Sequence, residues 1–162
     1  MLEIGSGSGR DAAALEVAGL DVRRTDISPG FVDLMLAGGQ QAERLDPLTD
    51  DLDDPQRPGT PYDGVWANAC LLHVDRSDLP VVVARLAAVT RQGGPFTLTL
   101  KEGDGEGWST HGSVAAPRRF VYWRADELRA VLEEAGWQVE DVQQARSARS
   151  GEPWLAVRAV RR

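Results

Sequence analysis

Three glycines alternate with two serines near the start of the chain, in Glu3-Ile4-Gly5-Ser6-Gly7-Ser8-Gly9. A short apolar run precedes them and an Ala/Leu-rich run follows, so the glycines stand where a strand turns into a helix. Glycine permits a tight turn and lets a ligand approach the backbone with no Cβ in the way. The helix behind it presents unpaired N–H groups. Asp26 lies 21 positions after Gly5, at the end of a second apolar run. A carboxylate there can accept both ribose hydroxyls of a nucleoside. The plain alternative is a strand–helix turn with Asp26 as a helix cap, but a turn alone needs neither alternating glycines nor a spaced acid. A dinucleotide site asks for G-x-G-x-x-G. Arg10 stands at the last of those positions and no Tyr-x-x-x-Lys pair is present, which argues against nicotinamide chemistry.

Further along, Leu71-Leu72-His73-Val74 offers an imidazole as a proton acceptor, or as a packing and capping group. His111 is a weaker candidate for the same role. Cys70 reads as a small buried residue more readily than as a nucleophile. Lys101-Glu102 follows a strong strand pattern, and Arg118-Arg119-Phe120 with Tyr122-Trp123 sets guanidinium groups beside aromatics. Such a cluster can hold an anionic or planar molecule, or it can be an ordinary lid with its arginines in water.

The elements that must position these groups alternate. Met1–Ile4 reads as a strand end, Arg10–Ala18 as a helix closed by Gly19, and Val22–Asp26 as a strand. Pro29–Ala37 reads as a helix with proline in its first turn, and Gln41–Leu45 as a weak third strand. Residues 46–61, rich in Asp and Pro, read as irregular and solvated. Tyr62–Ala67 is the next strand, Leu79–Thr90 a helix and Pro95–Leu100 a strand. After a polar, Gly-rich insertion come a helix over Asp126–Ala135 and two closing strands, Trp137–Gln144 and Trp154–Val160. Strands alternating with helices predict βαβ units and a mostly parallel α/β sheet with helices on both faces. The last two strands, with no helix between them, predict a C-terminal antiparallel hairpin, with Trp137 and Trp154 in its core. Ligands in such sheets lie beyond the strands' carboxyl ends, where strand order reverses.

Leu2-Glu3-Ile4-Gly5-Ser6-Gly7-Ser8-Gly9-Arg10-Asp11 resembles the first motif of class I S-adenosylmethionine-dependent methyltransferases, a Rossmann-like family. The likeness continues through Gly19–Val22 to Thr25-Asp26-Ile27-Ser28, through Tyr62–Ala69 with Leu71–Val74, and through Arg91–Phe96, where the family usually has proline in place of Gln92. Glu127-Leu128 and Ala135-Gly136-Trp137 resemble the approach to its sixth strand. The resemblance implies S-adenosyl-L-methionine as cofactor, no metal, and methyl transfer to a small-molecule acceptor by direct in-line displacement. It places Glu3, Gly5, Ser6, Gly7 and Gly9 at the methionine part of the cofactor and Asp26, with Ile27, at the ribose. Asp46, or else Asp50 or Asp51, falls near the adenine amino group, and Asn68 and Ala69 beside the transferable methyl. Lys101, Glu102, Arg119 and Tyr122 fall on the acceptor side. His73 would serve as a base only if the acceptor must lose a proton.

The 162 residues, 42% hydrophobic and 27% charged, suffice for one domain over 1–162, with 101–125 as a substrate-lid insertion. A single cysteine excludes a disulfide framework and points to a reducing, cytoplasmic setting. The net charge of −7 argues against nucleic acid as partner, and no apolar run is long enough to span a membrane. The family carries helices ahead of its first strand, whereas this sequence opens on the strand. The expectations are a missing natural beginning, a cover supplied by a partner chain, or a non-catalytic domain that binds the cofactor or a partner as half of a homodimer.

Overall fold

Apolar runs punctuated by glycine and proline fold into strands that pair in parallel and helices that cross between them. The computed structural model describes residues 1–109, 116–147 and 150–162. β1 (Leu2–Ile4) passes through the glycine loop into α1 (Arg10–Val17), followed by β2 (Arg23–Asp26), α2 (Pro29–Ala37) and a two-residue β3 (Glu43–Arg44). β4 (Val65–Asn68) runs into a 3-10 turn over Leu71–His73, then α3 (Leu79–Ala88) and β5 (Pro95–Lys101). A small pair, β6 (Glu106–Ser109) and β7 (Arg118–Val121), precedes α4 (Ala125–Glu134), β8 (Trp137–Arg146) and β9 (Pro153–Arg161).

The main sheet has the order β3-β2-β1-β4-β5-β9-β8. Its first five strands are parallel, and β9 lies antiparallel to both β5 and β8. The chain leaves β1 toward one edge and β4 toward the other. Right-handed crossovers therefore place α1 and α2 on one face and α3 on the opposite face. Strand order reverses between β1 and β4, which opens a crevice at their carboxyl ends. This is the Rossmann-like sheet with a closing hairpin that the sequence predicts.

Below the crevice, Phe96, Leu98 and Leu100 of β5 pack with Leu155, Val157 and Ala159 of β9 and with Val82, Val83 and Leu86 of α3. Trp137 is fully buried against Phe96, with ring centroids 4.7 Å apart, and its indole N–H donates to the Val83 carbonyl at 2.9 Å. A buried indole usually finds an acceptor for its N–H, and Trp137 has one.

Two segments depart from the sequence-based expectation. Residues 46–61 are irregular but not simply solvated: Leu52 is buried, and the Arg23 guanidinium donates to the carbonyls of Leu52 (3.0 Å) and Asp53 (2.8 Å) and to the Tyr62 hydroxyl. The polar, Gly-rich insertion after β5, in which the sequence predicts no strand, contains the antiparallel pair β6–β7. No described helix is long and apolar enough to cross a membrane.

Candidate active site

The glycine loop takes its shape from left-handed backbone at Gly5 (φ 70°), Gly7 (φ 56°) and Gly9 (φ 76°). An L side chain there costs roughly 1–2 kcal/mol. A Cβ at Gly5 would lie 2.2 Å from the Cys70 Cβ, whereas one at Gly7 would meet nothing within 4 Å. The loop is thus packed against β4's end on one side and open on the other, as a cradle for a ligand must be. Glu3 holds it from beneath. This carboxylate, only 1% exposed, accepts the Ser6 hydroxyl proton, while Ser6 Oγ takes the Thr25 N–H at 3.1 Å. Burial pushes the Glu3 carboxyl above its usual range, with the Ser6 hydrogen bond opposing.

Asp26 closes the loop from β2. One of its oxygens accepts the Gly7 N–H at 2.8 Å, and the other accepts the Ser28 N–H at 2.8 Å. A carboxylate has about four lone-pair sites, so two acceptor positions remain for hydroxyl donors. Ile27, next in the chain, is 53% exposed despite being a large apolar residue. The end of β3 lies alongside, since the Leu45 N–H donates to the Asp26 carbonyl at 3.1 Å. Asp46 therefore follows directly beyond Asp26, with one oxygen accepting the Leu48 N–H at 2.9 Å. Asp50 is turned back onto the Asp46 N–H at 2.8 Å and Asp51 onto the Asp53 N–H at 3.0 Å. These residues fit the ribose and adenine ends of a nucleoside cofactor.

Across the crevice, Asn68 ends β4 and Ala69 turns away from it with φ 55°. The Asn68 carboxamide donates to Asp11 Oδ2 at 2.6 Å and accepts from the Thr99 hydroxyl at 2.6 Å; Thr99 Oγ1 in turn accepts the Ala69 N–H at 2.9 Å. Sequence reading missed both Asp11 and Thr99. Asp11 reads as an ordinary first-turn acid and Thr99 as an ordinary strand residue, and their shared partner is far from each along the chain. Partial burial works to raise the Asp11 carboxyl, but hydrogen bonds from Asn68, Trp66 and Arg10 outweigh it and hold it below the usual range. The Cys70 thiol, on a half-buried residue and pushed up to about 12 by desolvation, donates to the Ile4 carbonyl at 3.0 Å. It is a packing residue.

His73 sits on the 3-10 turn with Nδ1 2.7 Å from the Arg119 carbonyl and its ring 4.8 Å from Phe120. A carbonyl only accepts, so Nδ1 carries the hydrogen and Nε2 remains the acceptor of the neutral ring. Desolvation lowers its pKa below 6.5 against the opposing Arg119 hydrogen bond, with Arg118 and Lys101 acting in the same direction as desolvation.

Three of the four residues expected on the acceptor side have side chains paired within the chain, and the fourth, Tyr122, is tied through its backbone. Lys101 is 4% exposed, pairs with Glu152 at 2.7 Å and lies 4.3 Å from the Phe120 ring. Glu102 accepts from Gln144 at 2.6 Å. Arg119 is shared between Asp75 and Glu106 (2.5 Å), and the Tyr122 N–H and carbonyl bind Gly105 and Arg76. Together they fasten the insertion to the domain. The open space beside Asn68 and Ala69 is instead a cleft of about 320 Å³ walled by Thr99, Ala145, Trp154 and Ala156. Trp154, expected in the hairpin core, is half-buried and forms part of that wall. His111 lies outside the described residues.

Residues 1–94 match the sequence profile of a family described as a methyltransferase domain. A protein of Eikenella corrodens named hemagglutinin 1 is 30% identical over 146 residues, which cover 89% of this chain; the chain spans about half the length (45%) of that curated relative. Among solved structures, a SAM-dependent methyltransferase from Methanosarcina mazei superposes with a TM-score of 0.81 at 15% identity, covering 99% of this chain and 91% of that one. The 1,6-didemethyltoxoflavin-N1-methyltransferase of Burkholderia thailandensis, solved with bound 1,6-didemethyltoxoflavin and S-adenosylhomocysteine, gives 0.72 at 24% identity, covering 99% of this chain and 69% of that one. The glycopeptide N-methyltransferase MtfA, complexed with S-adenosylmethionine, gives 0.72 at 16% identity, covering 99% of this chain and 86% of MtfA.

Proposed function

The chain belongs to the methyltransferase-domain family, and from that premise we propose that it binds S-adenosyl-L-methionine across the β1/β4 crevice and methylates a small molecule. One observation carries this reading. A glycine loop with an open left-handed Gly7 is pinned by its own N–H to Asp26, and its Gly5 packs against Cys70, the residue after the Asn68–Ala69 bend. Gly5 to Gly9, supported by Ser6 and Glu3, would hold the methionine end, Asp26 the ribose and Asp46 the adenine edge, with Ile27 as the apolar surface beside it. When bound, the cofactor supplies a methyl already activated by a sulfonium, so no covalent enzyme intermediate is required.

What the protein must then do is place the acceptor in line and exclude water. The open hollow of about 320 Å³ beside Asn68 and Ala69 leaves room for a small acceptor there, and the net charge of −7 disfavours phosphate-rich acceptors. The β6–β7 pair, in the insertion 101–125, would serve as the lid. In a test with methyl-labelled cofactor and a panel of heteroaromatic amines, phenols and thiols, label should appear in the low-mass fraction. Label confined to protein or RNA would contradict the small-molecule reading.

His73 holds the lid strand through the Arg119 carbonyl. His73→Ala is expected to leave S-adenosylhomocysteine affinity within about twofold while lowering stability by about 1 kcal/mol, the net worth of one hydrogen bond. His73→Asn, which can donate to the same carbonyl, should recover most of that loss in thermal melts. Because the folded-state pKa lies below 6.5, the unfolded chain binds the proton first. The neutral ring's contribution is complete above that pH and shrinks as pH falls through it.

A further inference from the structure

Among the described residues, Ala69 is the one non-glycine with a left-handed backbone. An L residue keeps that conformation only when its surroundings impose it. Here the constraint is a directed chain of hydrogen bonds that begins at the Ala69 N–H and ends on a carboxylate. Asp11, held ionised, can only accept, so the Asn68 amide must turn its NH2 toward Asp11 Oδ2 (2.6 Å). Its carbonyl oxygen then faces Thr99 and takes the hydroxyl proton (2.6 Å). Having spent its one proton, Thr99 Oγ1 is left as an acceptor, and the Ala69 N–H fills that position (2.9 Å). The Trp66 indole N–H, 3.4 Å from the same Asp11 oxygen, reinforces the end of the chain. Asp11 stands in the first turn of α1, just beyond the glycine loop, whereas Asn68 and Thr99 end β4 and approach the end of β5. The chain of bonds therefore spans the point where strand order reverses, and it ties the two walls of the crevice together.

We infer that Asp11 and Thr99 are positioning residues that act through Asn68 to hold the Ala69 bend in the shape that receives the methyl-bearing end of the cofactor. This rests on the cofactor reading above. Neither side chain needs to touch the ligand. Removing either end of the chain of bonds frees the Asn68 amide to flip or the Ala69 backbone to relax, and the cost appears as weaker binding.

The test uses the complete chain, with Asp11→Ala, Thr99→Val, Thr99→Ser and Asp26→Ala, and S-adenosylhomocysteine as the probe in calorimetric titrations. Asp11→Ala and Thr99→Val should each weaken binding about tenfold, the upper end of the net worth of one hydrogen bond. The double variant should be no weaker than about twofold below the worse single one, because both cuts disable one chain of bonds. Thr99→Ser, which keeps the hydroxyl, should stay within about twofold of the parent. Adding Ala69→Gly to Asp11→Ala should restore most of the lost affinity, since glycine adopts the bend without strain. A second readout needs no ligand: the carbon chemical shifts of Ala69, which report its backbone region, should move away from left-handed values in Asp11→Ala and Thr99→Val alone. Thr99→Val changes little in volume on a half-buried strand, so it carries the test by itself should Asp11→Ala not fold. Unchanged affinity and unchanged Ala69 shifts in these variants, with binding still lost in Asp26→Ala, would overturn the positioning role and leave the cofactor reading standing. Failure of the parent chain to bind S-adenosylhomocysteine would overturn both.

Discussion

Gly5→Ala is expected to destabilise the protein by about 3 kcal/mol, the largest effect of any single methyl added to the site. Two costs combine there. The backbone must hold φ 70° with a Cβ attached, and that Cβ would arrive 2.2 Å from the Cys70 Cβ and 3.0 Å from its sulfur. Gly7→Ala separates the two. It carries the same backbone cost at φ 56° but meets open space, so its loss should be only about 1–2 kcal/mol. Urea midpoints of the two variants measure the difference directly, and Cys70→Gly combined with Gly5→Ala should recover the steric part. Equal stability of the two alanine variants would mean that the loop does not pack on β4's end as described.

Asp26→Ala should weaken S-adenosylhomocysteine binding by roughly 2 kcal/mol, about thirtyfold, the scale of hydrogen bonds made to a charged group. Its carboxylate serves two partners at once. It fixes Gly7 and Ser28 through their N–H groups, and it keeps acceptor positions for the ribose hydroxyls. Asp26→Asn retains one oxygen and should fall between the parent and the alanine variant. Calorimetric dissociation constants decide the matter, and a value within about threefold of the parent for Asp26→Ala would remove Asp26 from the site.

Much of the scaffold could be read from local signals. α2 begins at Pro29 and stops before Gly38 as its residues demand, and the antiparallel close of the sheet follows from two strand patterns with no helix between them. The turn of the glycine loop and the place of Asp26 beside it could be read from residue type and spacing. The internal partners of Lys101, Glu102 and Arg119 could not be read, because charge in a sequence does not reveal its partner. Lys101 meets Glu152 and Arg119 meets Asp75, each across more than 40 residues, so residues that look available are already bound. Asp11 and Thr99 were hidden for the converse reason: neither type is unusual where it stands, and only the fold brings both to Asn68. β3 falls inside the weak strand expected over Gln41–Leu45, whereas the β6–β7 pair is too short and too glycine-rich to announce itself by alternation.

The central claim is that the β1/β4 crevice holds a nucleoside cofactor of the S-adenosylmethionine type and not a nicotinamide. Calorimetric titration of the purified 162-residue chain with S-adenosylhomocysteine, with NADH as control, addresses it most directly. The predicted result is one-site micromolar binding of S-adenosylhomocysteine and none of NADH. Binding of NADH alone, or of neither ligand, would contradict the assignment of this crevice.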